Sequence, residues 1–304
     1  MPDSIYVIGS SNTDMVIQSG RLPRPGETIM GGHFLMNAGG KGANQAVAAA
    51  RLNGRVYFVA NVGNDLFGRQ AMEQLVREKV NTDFISVDGL HPSGVALINV
   101  DAHGENCITV APGANGYLTP SMLTQMFQQI TPRDLVLVQL EIPLATIDYV
   151  AHQCSKQSVR IILNPAPAQP LNDELMEKIF LITPNERETE FLTGIPVRDA
   201  ASIQKAAEYL HQKGIVHVII TMGKRGAYWS CPDGNGFIEA LSLKAIDTTA
   251  AGDCFNGAMA VALAENKSLE EAARFACRAA SLSVTKIGAQ ASMPTLQELE
   301  NALT

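Results

Sequence analysis

Short apolar runs rich in Val and Ile alternate along this chain with longer segments of helical period, and that alternation leaves few folds open. Residues 5–9, 57–62, 135–140, 160–163, 180–183 and 218–221 read as buried strands, and residues 44–52, 69–79, 144–156 and 203–213 as helices. A strand that stays apolar on consecutive residues must be covered on both faces. The expectation is therefore α/β: a mainly parallel sheet between two helical layers. In such sheets ligands bind beyond the carboxyl ends of the strands. SSNTD, QLE, NPAP, TPNERE and TMGKRG each fall just after a strand.

Two segments interrupt the alternation. Residues 27–37 and 94–110 read as antiparallel strands, the second a hairpin turning at residues 101–105, with no helix nearby to cover them. They suggest a small β-lid whose strands are inserted at about 15–37 and 94–112 of a single domain spanning 1–304. From Asp253 onward the chain reads as largely helical, with a loop at residues 286–294.

Composition narrows the partners. The net charge is -7, from 23 basic and 30 acidic residues without a basic run, so a nucleic-acid footprint is not expected. No stretch approaches the roughly 20 apolar residues of a membrane helix, and the N-terminus reads as a strand rather than a leader. The five cysteines form no C-x-x-C pair, which points to a reducing cytoplasm, and the six histidines show no metal-binding spacing. A small molecule is the default partner.

The strongest local signal is Asp247-Thr-Thr-Ala-Ala-Gly-Asp253 before a helix expected over residues 254–265. Ala250, Ala251 and Gly252 clear the approach to free backbone N–H groups, making an anion hole suited to a phosphoryl group in transfer. Asp253 is either the base for an attacking hydroxyl or simply an N-cap or first-turn acid of its helix. Asn37-Ala-Gly-Gly-Lys-Gly-Ala-Asn-Gln45 is neither a Walker A loop nor a dinucleotide fingerprint. Its glycines permit close approach, and Lys41 and Asn44 are donors. Asn12 and Asp14 suit a polyol or, alternatively, an Asx-turn. Glu141 is either solvated at a strand end or a ligand contact. Asn185 and Glu188, three apart, either hold phosphate and Mg²⁺-bound water or form an ordinary helix start. Thr221–Gly226 is a glycine-punctuated turn with two cations, plausible beside nucleotide phosphates.

Taken together, GSSNTD (9–14), NAGGKGANQAVAAAR (37–51), QLEIP (139–143), NPAPA (164–168), TPNERE (183–188), TMGKRGAY (221–228) and DTTAAGDCFNGA (247–258) closely resemble the ribokinase (phosphofructokinase-B-type) carbohydrate kinases over essentially the whole chain. Within that family, GGKGANQAVAA and NPAPA look more like ribokinases than fructokinases or adenosine kinases.

The resemblance implies a three-layer fold with a lid and ATP-dependent phosphorylation of D-ribose at its 5-hydroxyl. It implies sugar contacts at Asn12, Asp14, Gly40, Lys41, Gly42, Asn44 and Glu141. Asp253 would be the base, with Ala250, Ala251 and Gly252 as the anion hole. The ATP site would involve Asn185, Thr221, Gly223, Lys224, Gly226, Gly252 and, near the adenine, Cys277, where some ribokinases carry histidine. Mg²⁺ would be reached through water by Glu188. An activating K⁺ would lie near Asp247, Thr249, Ser283, Lys286, Gly288 and Ser292, and a homodimer would form through the lid strands.

Overall fold

The computed structural model describes residues 3–302, so the extreme ends of the expected 1–304 domain lie outside the described residues. A nine-stranded sheet crosses the molecule. From edge to edge its strands are Gly234–Ile238 (β13), Ala227–Cys231 (β12), His217–Thr221 (β11), Leu181–Ile182 (β10), Arg160–Leu163 (β9), Leu135–Val138 (β8), Ser4–Ile8 (β1), Arg55–Gly63 (β4) and Asn81–Asp88 (β5). Every neighbouring pair from β11 to β5 is parallel, and β12 and β13 are antiparallel. A second sheet holds His33–Gly39 (β3), Asn12–Gln18 (β2), Gly94–Val100 (β6) and Asn106–Ala111 (β7), in that order.

The helices are Lys41–Arg51 (α1), Leu66–Arg77 (α2), Thr124–Gln129 (α3), Leu144–Lys156 (α4), Asp173–Met176 (α5), Glu186–Thr193 (α6), Ala200–Gln212 (α7), Ala251–Ala264 (α8), Leu269–Ser283 (α9) and Leu296–Asn301 (α10). Their placement explains the unbroken apolar strands. Ile5 and Val7 point into one core with α1, α8 and α9, while Tyr6 and Ile8 point into the other with α3, α4 and α7. Successive side chains of one strand thus serve opposite cores. No helix among the described residues is long and apolar enough to cross a membrane.

The structure departs from the sequence reading in several places. Of the expected 27–37 strand only the part from His33 onward is formed, and it runs on to Gly39. Asn12 and Asp14 do not follow β1 as a loop but lie on β2, which pairs with both β3 and β6. The α2 helix begins at Leu66 rather than residue 69, because the Asp65 carboxylate caps it by accepting from Gly68 N at 2.8 Å. β12 and β13 are the antiparallel edge added beyond the parallel strands. The hairpin turn at residues 101–105 is found as expected, with Asp101 accepting from the amides of His103 and Glu105.

The α8 helix is buried on nearly every side, as an all-round apolar helix must be. It meets α1 at Gly257, where a Cβ would lie 2.6 Å from the Gln45 carbonyl oxygen and 2.7 Å from the Ala48 Cβ. The missing side chain lets the two helices touch there. Gly257→Ala gains about 1 kcal/mol of helix propensity. Forcing backbone apart in a packed core costs about 1–3 kcal/mol, so a lower guanidinium midpoint is expected. An unchanged midpoint would mean that the helices have room to part.

Candidate active site

The parallel strands end on one side of the sheet, and the polar groups gather there. After β1 the chain passes through Gly9, Ser10 and Ser11 into the small sheet, and α1 starts against this crossing. Gly40 caps α1 at φ 87°, and a Cβ there would lie 2.7 Å from Asn12 N. Only glycine meets both demands. The tight approach lets Ala43 N donate to Ser10 O at 2.9 Å. Gly42 packs on the backbone of Gly9 and Ser10. Glu141 is tied into the protein rather than left solvated: its Oε2 accepts from Ser10 Oγ at 2.5 Å and from Lys41 N at 3.0 Å. A carboxylate at a helix N-terminus is favourably placed.

Asp253 sits in the first turn of α8, three residues after the cap, and is not the cap itself. Ala250 occupies that position in the left-handed conformation, φ 59°. Ala251 N is turned onto Thr248 O at 3.3 Å. The amides of Gly252 and Asp253 have no acceptor among the described residues, and the space a Gly252 Cβ would fill is open. Of the 250–252 stretch expected to form an anion hole, Ala251 has its amide engaged, whereas the amides of Ala250 and Gly252, like that of Asp253, have no acceptor among the described residues. The Asp253 carboxylate turns inward. Its Oδ2 accepts from Asn44 Nδ2 and its Oδ1 from Gln45 Nε2, both at 2.9 Å.

Charge is crowded here. Burial holds the Asp253 carboxyl above its usual range, against the opposing pull of Lys41, Asn44 and Gln45. Burial, helped by Glu141 and Asp253, pushes Asp14 up to about 6. Burial pulls Lys41 down, but Asp253, Glu141, Glu188 and Asp14 together leave it raised, hence firmly cationic. Asn12 is not in an Asx-turn: its Oδ1 accepts from Asn115 Nδ2 at 2.8 Å, which leaves its own NH₂ to donate. Asn44 Oδ1 is buried without a partner among the described residues. An unpaired buried acceptor beside a carboxylate suits a ligand hydroxyl, since leaving it empty costs about 1–3 kcal/mol.

On the other side, Asn185 and Glu188 form a capping box on α6: Asn185 N donates to Glu188 Oε2 at 2.8 Å, and Glu188 N to Asn185 Oδ1 at 2.9 Å. The ordinary helix start is thus real. Even so, burial raises the Glu188 carboxyl, its Oε1 takes no hydrogen bond among the described residues, and it feels Lys41 and Asp253. Thr221 bridges to Asn185 at the end of β11. Gly223 and Lys224 lie on an exposed turn closed by Gly226, and Arg225 pairs with Glu186. Cys277 is buried in the α8–α9 core, where burial pushes its thiol up to about 12. Asp247 joins two loops, accepting from Thr249 N and Gly288 N at 2.9 Å. Ser283 and Ser292 donate to Ala280 O and Ala289 O, and Lys286 reaches away to Glu298.

The pfkB family carbohydrate kinase model matches residues 2–296. The chain belongs to that family. It is accordingly a sugar kinase, a phosphotransferase. It is 45% identical over 298 residues to a ribokinase of Haemophilus influenzae, covering 98% of this chain and 97% of that one. It is 43% identical over 302 residues to a ribokinase of Bacillus subtilis, covering 99% of each. The structure of Arabidopsis thaliana ribokinase complexed with ribose and ATP superposes with a TM-score of 0.93 at 34% identity, covering 100% of this chain and 99% of that one.

For a pfkB-family kinase, the sequence reading missed the groups that hold the named residues in place. Asn115 joins Ser11 and Asn12 across the crossing into the small sheet. Gln45, Gln139 and Asn164 stand behind Asp253. Gln139 and Asn164 had a visible signal, as amides ending strongly apolar strands. Asn115, in a short 3-10 turn over Gly113–Tyr117, had none.

Burying Asp14 beside other carboxylates has a cost that pH reveals. Asp14 titrates near 6 folded against 3.8 for the free side chain. Relative stability is thus present below pH ~4 and lost as pH rises through ~6, by up to about 3 kcal/mol. Asp14→Asn should raise the denaturation midpoint at pH 8 and leave it nearly unchanged near pH 4. An equal gain at both pH values would show that the ionised carboxylate is not strained.

Proposed function

We propose that the chain transfers the γ-phosphate of ATP to the 5-hydroxyl of D-ribose, giving D-ribose 5-phosphate and ADP. The observation that carries this reading is the pairing in one helical turn of a buried carboxylate, Asp253, with the two open amides of Gly252 and Asp253. One group takes a proton while the others receive a transferring anion. The relatives named ribokinase and the Arabidopsis complex with ribose and ATP support ribose as the acceptor.

In this reading the sugar lies among Asn12, Asp14, Gly40, Lys41, Gly42, Asn44 and Glu141. Its hydroxyl gives its proton to Asp253 as the oxygen bonds to the γ-phosphorus. The bond from that phosphorus to the bridging oxygen breaks and ADP leaves. The loose transition state puts charge on the equatorial oxygens, where the Gly252 and Asp253 amides stand. Asn185 and the turn 221–226 line the nucleotide side, with Cys277 beneath the adenine. Mg²⁺ when bound neutralises phosphate charge, and the spare oxygen of Glu188 suits a water of its hydration shell. The oxygen-rich loops around Asp247, Thr249, Ser283, Gly288 and Ser292, with Lys286 turned away, suit K⁺. Thr249 immediately precedes the turn at Ala250, which ties such an ion to the shape of the hole. The small sheet exposes Ile17, Phe34, Met36 and Leu97 on one face. That apolar face suits a lid that pairs with a second copy of the chain. Five free cysteines accord with the cytoplasm.

The test is ADP release by the purified protein with ATP, Mg²⁺ and K⁺ across ribose, 2-deoxyribose, fructose and adenosine. Ribose should be preferred, and turnover should fall when Na⁺ replaces K⁺. Preference for 2-deoxyribose would shift the acceptor, since a Salmonella typhi deoxyribokinase is 36% identical over 301 residues. Asp253→Asn should bind ribose with little change while turnover drops by about 10²–10⁴. Near-normal turnover would remove Asp253 as base.

A further inference from the structure

Gln45 is fully buried, and every hydrogen-bonding group it has is committed. Its NH₂ donates twice, to Asp253 Oδ1 at 2.9 Å and to Asn164 Oδ1 at 3.0 Å. Its carbonyl oxygen accepts from Gln139 Nε2 at 2.6 Å. Gln139 and Asn164 stand at the carboxyl ends of the neighbouring parallel strands β8 and β9. Asn164 is held in turn through Nδ2 to Thr183 O at 3.4 Å, beyond β10. Gln45 therefore has one orientation: with its amide reversed, Gln139 NH₂ would face an NH₂ and Asp253 would face an oxygen.

Asn44 and Gln45 differ in a way that assigns their roles. Asn44 also donates to Asp253, but its Oδ1 is unpaired and left for a ligand. Gln45 has nothing left to offer a ligand. We propose that Gln45 is a positioning residue which, anchored by Gln139 and Asn164 on the sheet, fixes the carboxylate plane of Asp253 so that its remaining lone pair faces the sugar hydroxyl. The inference rests on Asp253 being the base. It adds that the central sheet aims this base through a relay of three amides. A misaim of about 1 Å costs up to ~10² in rate even when binding is intact.

The charged groups facing Asp253 are Lys41 on α1, Glu141 after β8, Glu188 on α6 and Asp14 on β2. All of them remain when Gln45 changes, so a variant there isolates the relay. Gln45→Met keeps the length of the side chain and removes its polar atoms. It should lower kcat for ribose phosphorylation about 10–100-fold, with the KM for ribose within about twofold. Loss of one donor to an ionised carboxylate favours its protonated form, so the acidic limb of the kcat–pH profile should move to higher pH. Gln139→Met leaves Gln45 present but frees it to turn, and should give a smaller loss with the same shift. The double variant should lose no more than Gln45→Met alone.

A residue that only packs the core would lower the melting temperature and leave kcat and the pH limb in place. That result for Gln45→Met would overturn the inference. Should Gln45→Met fail to fold, unchanged kcat and pH limb in Gln139→Met would overturn it instead. Asp253→Asn serves as the control. If it keeps turnover, the reading of the base fails. If it is inactive while Gln45→Met retains wild-type kcat, only the positioning role fails.

Discussion

Two side-chain hydrogen bonds, from Asn44 and Gln45 to the carboxylate of Asp253, join the start of α1 to the start of α8 across more than two hundred residues of sequence. The rest of the site depends on them. A buried carboxylate without donors would protonate or drive the helix ends apart. With donors it stays in place, and its outward amides are held toward open space. The close packing at Gly257 brings the helices together, and the glycine turn at Gly40 lets α1 begin against the end of β1. Backbone economy at two glycines thus becomes side-chain geometry at the carboxylate.

The electrostatic pattern divides the site into two halves. Asp14, Glu141, Asp253 and Glu188 surround the single ammonium of Lys41, so the interior half is acidic. Such an environment repels an anion and welcomes a neutral polyol, whose hydroxyls can donate to carboxylates and accept from Asn12 and Lys41. In the proposed reaction the anion takes the other half, over the helix N-terminus, where backbone dipoles offer partial positive charge. A phosphotransferase needs this separation: acceptor hydroxyl among carboxylates, transferring group over amides. If Asp14 holds the sugar as proposed, its elevated carboxyl is stability given up for function.

Much of this was legible in the sequence, for reasons particular residues make plain. β1, β8 and β9 are apolar on consecutive positions because both faces are covered, and such runs stand out. β2 did not, because it starts with the polar Asn12, Thr13 and Asp14 and lies in a sheet whose outer end is exposed. Asp253 and Gly252 were visible as a small-residue helix start, although which amides are open was decided by Ala251 folding onto Thr248. Asn185 and Glu188 carried the spacing of a capping box and form one. Gln45 was hidden: a glutamine within an alanine-rich helix reads as an ordinary helix former until the strand ends that meet it are known.

The most direct measurement is a crystal structure of the protein with ribose, ADP, Mg²⁺ and aluminium fluoride, a planar stand-in for the phosphoryl group in transfer. The fluoride plane should rest on the Gly252 and Asp253 amides, with the ribose 5-hydroxyl between it and the Asp253 carboxylate, in line with the ADP oxygen. A metallofluoride bound away from those amides, or a sugar whose 5-hydroxyl turns from Asp253, would contradict this account of the chemistry.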